Sequence, residues 1–250
     1  MIGFLVFTAL LGLAVGSFLN VVIYRFPRGE SLVSPGSQCP SCAVAISPYD
    51  NVPLISWLAL HGRCRSCSDA ISVRYPLVEL LTGVTFVAIA VARGPSAELA
   101  LELPFAALLI AVSGIDLDHR IIPNRLLMLG AAWGLAGLAL LTPEVGVEHL
   151  VAGAAAFTAL LLVVLAYPAG MGMGDVKLAG LMGLFLGTAV IPALFAAFAA
   201  GALVGLVHLA RRGVAARKLA IPFAPFLALG GLVGLIVGPE LIDLYSRSFL

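Results

Sequence analysis

Charge is what this sequence has least of. Only 11% of its 250 residues are Asp, Glu, Lys or Arg, against 61% hydrophobic. A water-soluble domain carries roughly 25% charged residues, so this chain cannot coat a water-facing surface. A soluble enzyme and a disordered scaffold are excluded. The formal net charge of +1 offers no basic field for phosphates, so nucleic acid is not an expected partner. Cysteine is scarce as well: all four lie between residues 39 and 67. What remains is a chain of long apolar runs, an all-α polytopic membrane protein in contact with membrane lipid.

A crossing helix needs about 20 mainly apolar residues. Eight stretches approach that length: 2–23, 77–93, 99–115, 122–141, 149–167, 176–191, 192–210 and 221–238. The sixth is short and is divided from the seventh by Pro192; read as one kinked pair, the two reduce the count to seven. With eight crossings and the N-terminus outside, 12 of the 14 Lys and Arg residues, from Arg25 to Lys218, share one side. Only Arg93 and Arg247 fall on the other. The positive-inside rule makes the crowded side cytosolic. Residues 1–23 lack the basic n-region of a secretory signal, and Arg25 and Arg28 follow them, so a retained first helix is expected.

One connection, residues 24–76, is long enough to be a domain. It holds Cys39-x-x-Cys42 and Cys64-x-x-Cys67, each in a turn-forming context and separated by 21 residues. Two such knuckles can present four thiolates to a tetrahedral Zn²⁺. The competing reading is two disulfides or inert thiols, but the cytosolic side keeps thiols reduced. Four Cys ligands close the coordination shell, so the metal is expected to be structural. A loop with so small a core would need it to fold.

Acids at the membrane edge come next. The third span ends in Gly114-Ile115-Asp116-Leu117-Asp118, and the sixth follows Gly172-Met173-Gly174-Asp175. Two crossings separate Asp116 from Asp175, which returns both to the cytosolic side. Two carboxylates within a few Å share a proton. Such a pair suits amide hydrolysis, one member activating water and the other polarising the carbonyl. The plainer alternatives are an N-cap for Asp175 and solvated loop charges for Asp116 and Asp118. If the helix continues, Asp116 and Asp118 point about 200° apart, so only one faces Asp175. Spacing does not say which.

At these residues the chain resembles the bacterial type IV prepilin peptidases, aspartic membrane proteases of the GxGD class. The resemblance runs through Gly16–Arg25, both Cys-x-x-Cys knuckles, Asp50-Asn51-Val52-Pro53, Arg74-Tyr75-Pro76-Leu77-Val78-Glu79, Asp116 with Pro123-Asn124, and Gly172-Met173-Gly174-Asp175-Val176-Lys177. It implies Asp116 and Asp175 as the catalytic pair. It implies a substrate that is the leader of a type IV prepilin or a secretion-system pseudopilin, cut at the cytosolic face of the bacterial inner membrane. It also implies N-methylation of the new N-terminus with S-adenosylmethionine, associated with the cysteine-bearing loop. The expected organisation is a first helix at 1–23, a cytosolic four-cysteine zinc-binding domain at 24–76 and a seven-helix membrane peptidase domain at 77–250. The loop has no glycine-rich cofactor fingerprint; Gly62, Arg63 and Glu79 are the candidates there. Glu79 lies just inside the second span, where an unpaired charge is costly. A salt bridge to Arg74 or another nearby Arg, or a functional role, would each account for it.

Two rival functions stand against a peptidase. A zinc-ribbon membrane scaffold would tolerate loss of either Asp. A cation transporter would hold its acids near the bilayer midplane and often shows repeated halves, whereas these acids lie at the edge and the spans show no repeat.

Overall fold

The computed structural model describes residues 1–168, 170–213 and 221–249. Arg217 and Lys218, counted above on the crowded side, lie outside them. Among the described residues there is no strand, only the isolated bridges Gln38–Ala45 and Arg63–Ala70. The chain divides into two compact units, residues 1–95 and 96–250.

In the first unit, helix α1 (Ile2–Arg25) lies beside α3 (Arg74–Arg93), with a short α2 (Ile55–Ala59) between them in sequence. Without water to drive association, membrane helices pair through small residues that let backbones approach. A Cβ on Gly12 would sit 2.8 Å from Gly83 Cα, and one on Gly16 would sit 2.7 Å from Glu79 Cα. Asn20 adds an interhelical bond, its Nδ2 donating to the Tyr75 carbonyl at 3.1 Å. The second apolar stretch therefore packs with the first and bounds the cysteine loop on both sides.

The second unit holds α4 (Leu99–His119), α5 (Asn124–Leu140), α6 (Gly146–Ala166), α7 (Met173–Leu186), α8 (Val190–Arg212) and α9 (Ala224–Phe249). Again glycine sets the closest approaches. A Cβ on Gly183 would meet Gly153 Cα at 2.6 Å, joining α7 to α6. One on Gly230 would meet the Ala193 carbonyl at 2.1 Å, joining α9 to α8. Phe105 of α4 stacks on Phe185 of α7 with centroids 4.2 Å apart. The glycines of α7 are thus internal packing positions.

Each of the eight expected spans coincides with one long helix among the described residues, with shifted ends. Hydropathy and length mark five stretches as able to cross a membrane: 2–28, 74–93, 99–119, 143–166 and 173–212, the last containing both α7 and α8. Helix α5 and residues 224–238 of α9 are shorter apolar segments. The break between α7 and α8 falls at Gly187, not at Pro192. Gly187 takes φ +55°, a left-handed conformation that costs glycine nothing. Pro192 sits in the first turn of α8, where a missing N–H does no harm. The third span continues past residue 115 to His119, so Asp116 and Asp118 are helical.

Candidate active site

One end of the second unit gathers the acids. Asp116 lies in the last turn of α4 and Asp175 in the first turn of α7. Helix α4 stops because Arg120 takes φ +54° and returns its N–H to the Asp116 carbonyl at 2.9 Å. Helix α7 starts at the N-cap Gly172, whose N–H donates to Asp175 Oδ2 at 3.1 Å. The alternative reading of Asp175 as a helix cap is therefore part of the truth: it caps from the third helical position.

Only 6% of Asp116 and 9% of Asp175 is exposed, whereas Asp118 is exposed. Of the two acids in the α4 motif, Asp116 is the inward one. Its Oδ2 accepts the N–H of Ala224, the first residue of α9, at 3.1 Å. A helix N-terminus favours a carboxylate through its free amides and dipole. Asp116 and Asp175 lie near enough for their charges to interact, and the Arg120 charge is also felt at Asp116.

Two further contacts tie this end together. Lys177 Nζ donates to Asn124 Oδ1 at 2.8 Å, linking α7 to the start of α5. A Cβ on Gly174 would meet the Ile122 side chain at 2.9 Å, so the α4–α5 connection rests directly on the Gly-x-Gly-Asp turn. The starts of α5, α7 and α9 thus share one end with the finish of α4. From that end α9 runs past Ala193 at Gly230 to Ala189 at Gly238, so α8 lies antiparallel to it. Sequence reasoning missed the Ala224 and Asn124 contacts. The first comes from a backbone amide 108 residues away, which leaves no side-chain signal.

The four cysteines of the first unit converge. Their sulfur atoms all lie within 4.8 Å of one another, with Cys39 and Cys67 Sγ 3.8 Å apart. A tetrahedral ion with bonds of about 2.3 Å to sulfur would space its ligands roughly 3.8 Å apart. The donor set and its spacing fit a closed four-thiolate metal site. The cysteines are free thiols, not the disulfides of the competing reading.

The two knuckles are built alike at an offset of 25 residues. Cys39 N–H donates to the Val44 carbonyl and Ala43 N–H to that of Cys39; Cys64 N–H donates to Asp69 and Ser68 N–H to Cys64. Ala43 and Ser68 both take positive φ, at +56° and +60°. The turns aim amides at sulfur: the Cys42 N–H, then that of Ser41, pulls the Cys39 thiol down to about 6. At Cys67 the Asp69 amide acts in the same direction, but burial and the neighbouring thiols outweigh it and push the thiol up to about 12. Four crowded thiols shed their protons together only when a cation takes their place. Ser41 Oγ donates to the Asp69 carboxylate, joining one knuckle to the other.

Gly62, Arg63 and Glu79 lie around this loop. Gly62 takes φ +67° beneath the Trp57 ring, and a Cβ there would meet that ring at 2.9 Å. Trp57 Nε1 donates to the Ile71 carbonyl, and Ile71 N–H donates to Gly62. Arg63 is exposed. Glu79 is buried in α3, and its Oε2 accepts the Leu54 N–H at 2.8 Å. A backbone amide of the loop thus donates to its carboxylate. Leu54 itself takes φ +60°, a conformation that a leucine does not adopt by preference.

A polytopic helical bundle with an inward acid pair at one end, preceded by a helix pair carrying a four-thiol knuckle, is the layout of a membrane-embedded peptidase with a loop able to hold a metal ion. Residues 10–93 match the Bacterial Peptidase A24 N-terminal domain, and residues 103–206 match the Type IV leader peptidase family. The prepilin leader peptidase/N-methyltransferase of Aeromonas hydrophila is 36% identical, the match covering 96% of this chain and 93% of that protein. The protein of the same name in Bacillus subtilis (strain 168) is 34% identical, covering 96% of each. That of Myxococcus xanthus (strain DK1622) is 42% identical over 84% of this chain, which spans 64% of that longer relative. No solved structure matches the chain. The chain belongs to the type IV leader peptidase family.

Proposed function

We propose that this chain removes the leader from type IV prepilins or pseudopilins at the cytosolic face of the bacterial inner membrane, using Asp116 and Asp175 as its catalytic pair. The observation that carries this reading is the pairing itself. Two acids far apart in sequence are both buried, both held by a backbone amide and within electrostatic reach of each other. One carboxylate takes a proton from water as the oxygen attacks the scissile carbonyl. The other, protonated, donates to the carbonyl oxygen. The tetrahedral intermediate then collapses as the leaving amine receives a proton. Both acids lie within a turn of a helix end, the wrong depth for a midplane ion site. Eight crossings with the N-terminus outside would put that end in the cytosol, where the excess of Lys and Arg also falls.

The four cysteines would hold Zn²⁺, which supplies a structural staple to the loop. The relatives' shared name includes a methyltransferase, and we assign this chain the same second activity, with S-adenosylmethionine supplying the methyl group. In that half Gly62 and Glu79 shape the loop through the backbone they hold, and Arg63 is its exposed cation.

Cleavage of a prepilin in liposomes tests the reading. Wild type and Asp118→Ala should cut; Asp116→Ala and Asp175→Ala should not, each with its helical content intact. Full activity in either of the latter would sink the assigned pair.

A further inference from the structure

The short helix α2 presents apolar side chains to the outside. Ile55 and Leu58 are each 66% exposed, and Ala59 beside them is exposed too. These positions, spaced i, i+3 and i+4, form one stripe on the helix surface. The inward position, Ser56, is buried and polar. Its Oγ accepts the Val52 N–H and donates to the Tyr49 carbonyl. Helix α2 is thus turned with its polar residue and Trp57 toward the protein and its other three apolar residues away, although a segment surrounded by water would turn Ser56 outward.

The Glu79–Leu54 bond fixes the depth of this stripe. Helix α3 has 20 residues, about 30 Å at about 1.5 Å per residue. That is about the thickness of the hydrocarbon core, so the whole of α3 is needed to cross it. Glu79 lies five residues in from Arg74, roughly 7–8 Å along the axis. Leu54, bonded to the Glu79 side chain, immediately precedes α2. The start of α2 is therefore held at the level of the boundary between headgroups and acyl chains, where interfacial helices seat their apolar faces about 5–10 Å deep.

We propose that the Ile55–Leu58–Ala59 face is a membrane-seating surface whose partner is the lipid at the edge of the bilayer, and that Glu79 sets its depth. The cysteine loop is then fastened to the membrane at three points: the end of α1, the start of α3 and α2 between them. This inference rests on α3 crossing the membrane and is independent of the peptidase reading.

Depth-resolved quenching by brominated lipids in proteoliposomes tests it. The chain has two tryptophans, Trp57 and Trp133. Trp133→Phe serves as the background, with Leu58→Trp as the probe. Val33→Trp is the comparison, at an 87% exposed loop position. After subtraction of the background, bromines high on the acyl chain should quench the tryptophan at 58 at least about three-fold more than the one at 33, and acrylamide should quench it less. Equal lipid quenching at both positions, with acrylamide reaching both, would overturn the proposal by placing the face in water. Protection of position 58 from lipid and acrylamide alike would overturn it by showing that protein covers the face. If Leu58→Trp loses its bound metal, Ile55→Trp replaces it on the same stripe.

Discussion

The two units bury acids in the same way and to different ends. Glu79, Asp116 and Asp175 are each almost withdrawn from solvent, and each has one backbone amide donating to it, from Leu54, Ala224 and Gly172. An amide stabilises a carboxylate without bringing a full opposing charge. The difference lies in what else is near. Asp175 has Asp116 within range of its charge, and a carboxyl pair can hold one proton between them. Glu79 holds in place Leu54, whose φ is +60°. The proposed catalytic pair is thus set apart from Glu79 not by burial, which all three acids share, but by a second acid at the same end.

That contrast predicts opposite outcomes for equal truncations. Asp116→Ala and Asp175→Ala should each lower leader cleavage by a factor on the order of 10³, as expected for loss of a general acid or base. Glu79→Ala should leave the cleavage rate per folded molecule within about an order of magnitude of wild type, since it removes no reacting group. A gel assay of processed and unprocessed substrate reads both. If Glu79→Ala were as inactive as the Asp variants while still folded, the division between mechanical and catalytic acids would fail.

Next in size is the metal staple. Cys64→Ser removes one of four converging ligands, and metal content should fall from about one ion per chain to near zero. Protease sensitivity should rise within residues 24–76, while the second unit keeps its helicity. Cys39→Ser should behave the same way, because the knuckles are built alike. Unequal loss would show that one knuckle binds first. Elemental analysis with limited proteolysis separates these outcomes.

Smaller still is the mechanical role of Glu79. Its truncation leaves the Leu54 amide without an acceptor, a loss of about 1–3 kcal/mol. Glu79→Gln keeps a carbonyl that can accept and should recover most of that stability. Thermal unfolding in detergent measures both variants. An equal loss in the two would mean that charge, not the bond to Leu54, is what matters there.

These sites also show what the residue string reveals and what it hides. Apolar runs locate all eight long helices among the described residues, because a chain surrounded by lipid must satisfy its backbone within helices. The cysteine spacing locates the four-thiol cluster, because ligand geometry is local. The Gly-x-Gly-Asp turn and Asp116 are visible as acids where acids are expensive. Hidden are the partners supplied by backbone: Ala224 for Asp116 and Leu54 for Glu79 carry no side-chain mark of their function. The break at Gly187 was also disguised. Proline is the stronger breaker inside a helix, but Pro192 falls in a first turn, where it is harmless. Choosing Asp116 over Asp118 needed the helix to continue, and that depended on Arg120 taking a left-handed conformation that arginine does not advertise.

The finest comparison is within the acid-bearing end itself, between the two acids of the proposed pair and the residues that hold them. Lys177 and Asn124 touch neither acid in the bonds they make; their 2.8 Å contact joins α7 to α5, beside the seat of Ile122 on Gly174. Lys177 is exposed, so water competes for the bond and its loss should cost little stability. Lys177→Met should slow cleavage several-fold through kcat with KM nearly unchanged, because the turn carrying Asp175 loses one of its anchors. Asn124→Ala should have the same effect, and the double variant should be no worse than either single one, the mark of two residues acting through one bond. Lys177→Arg, which can still donate to Asn124, should restore most of the rate. Additive losses would mean instead that Lys177 acts on substrate directly, and it would then belong with Asp116 and Asp175, not with the residues that position them.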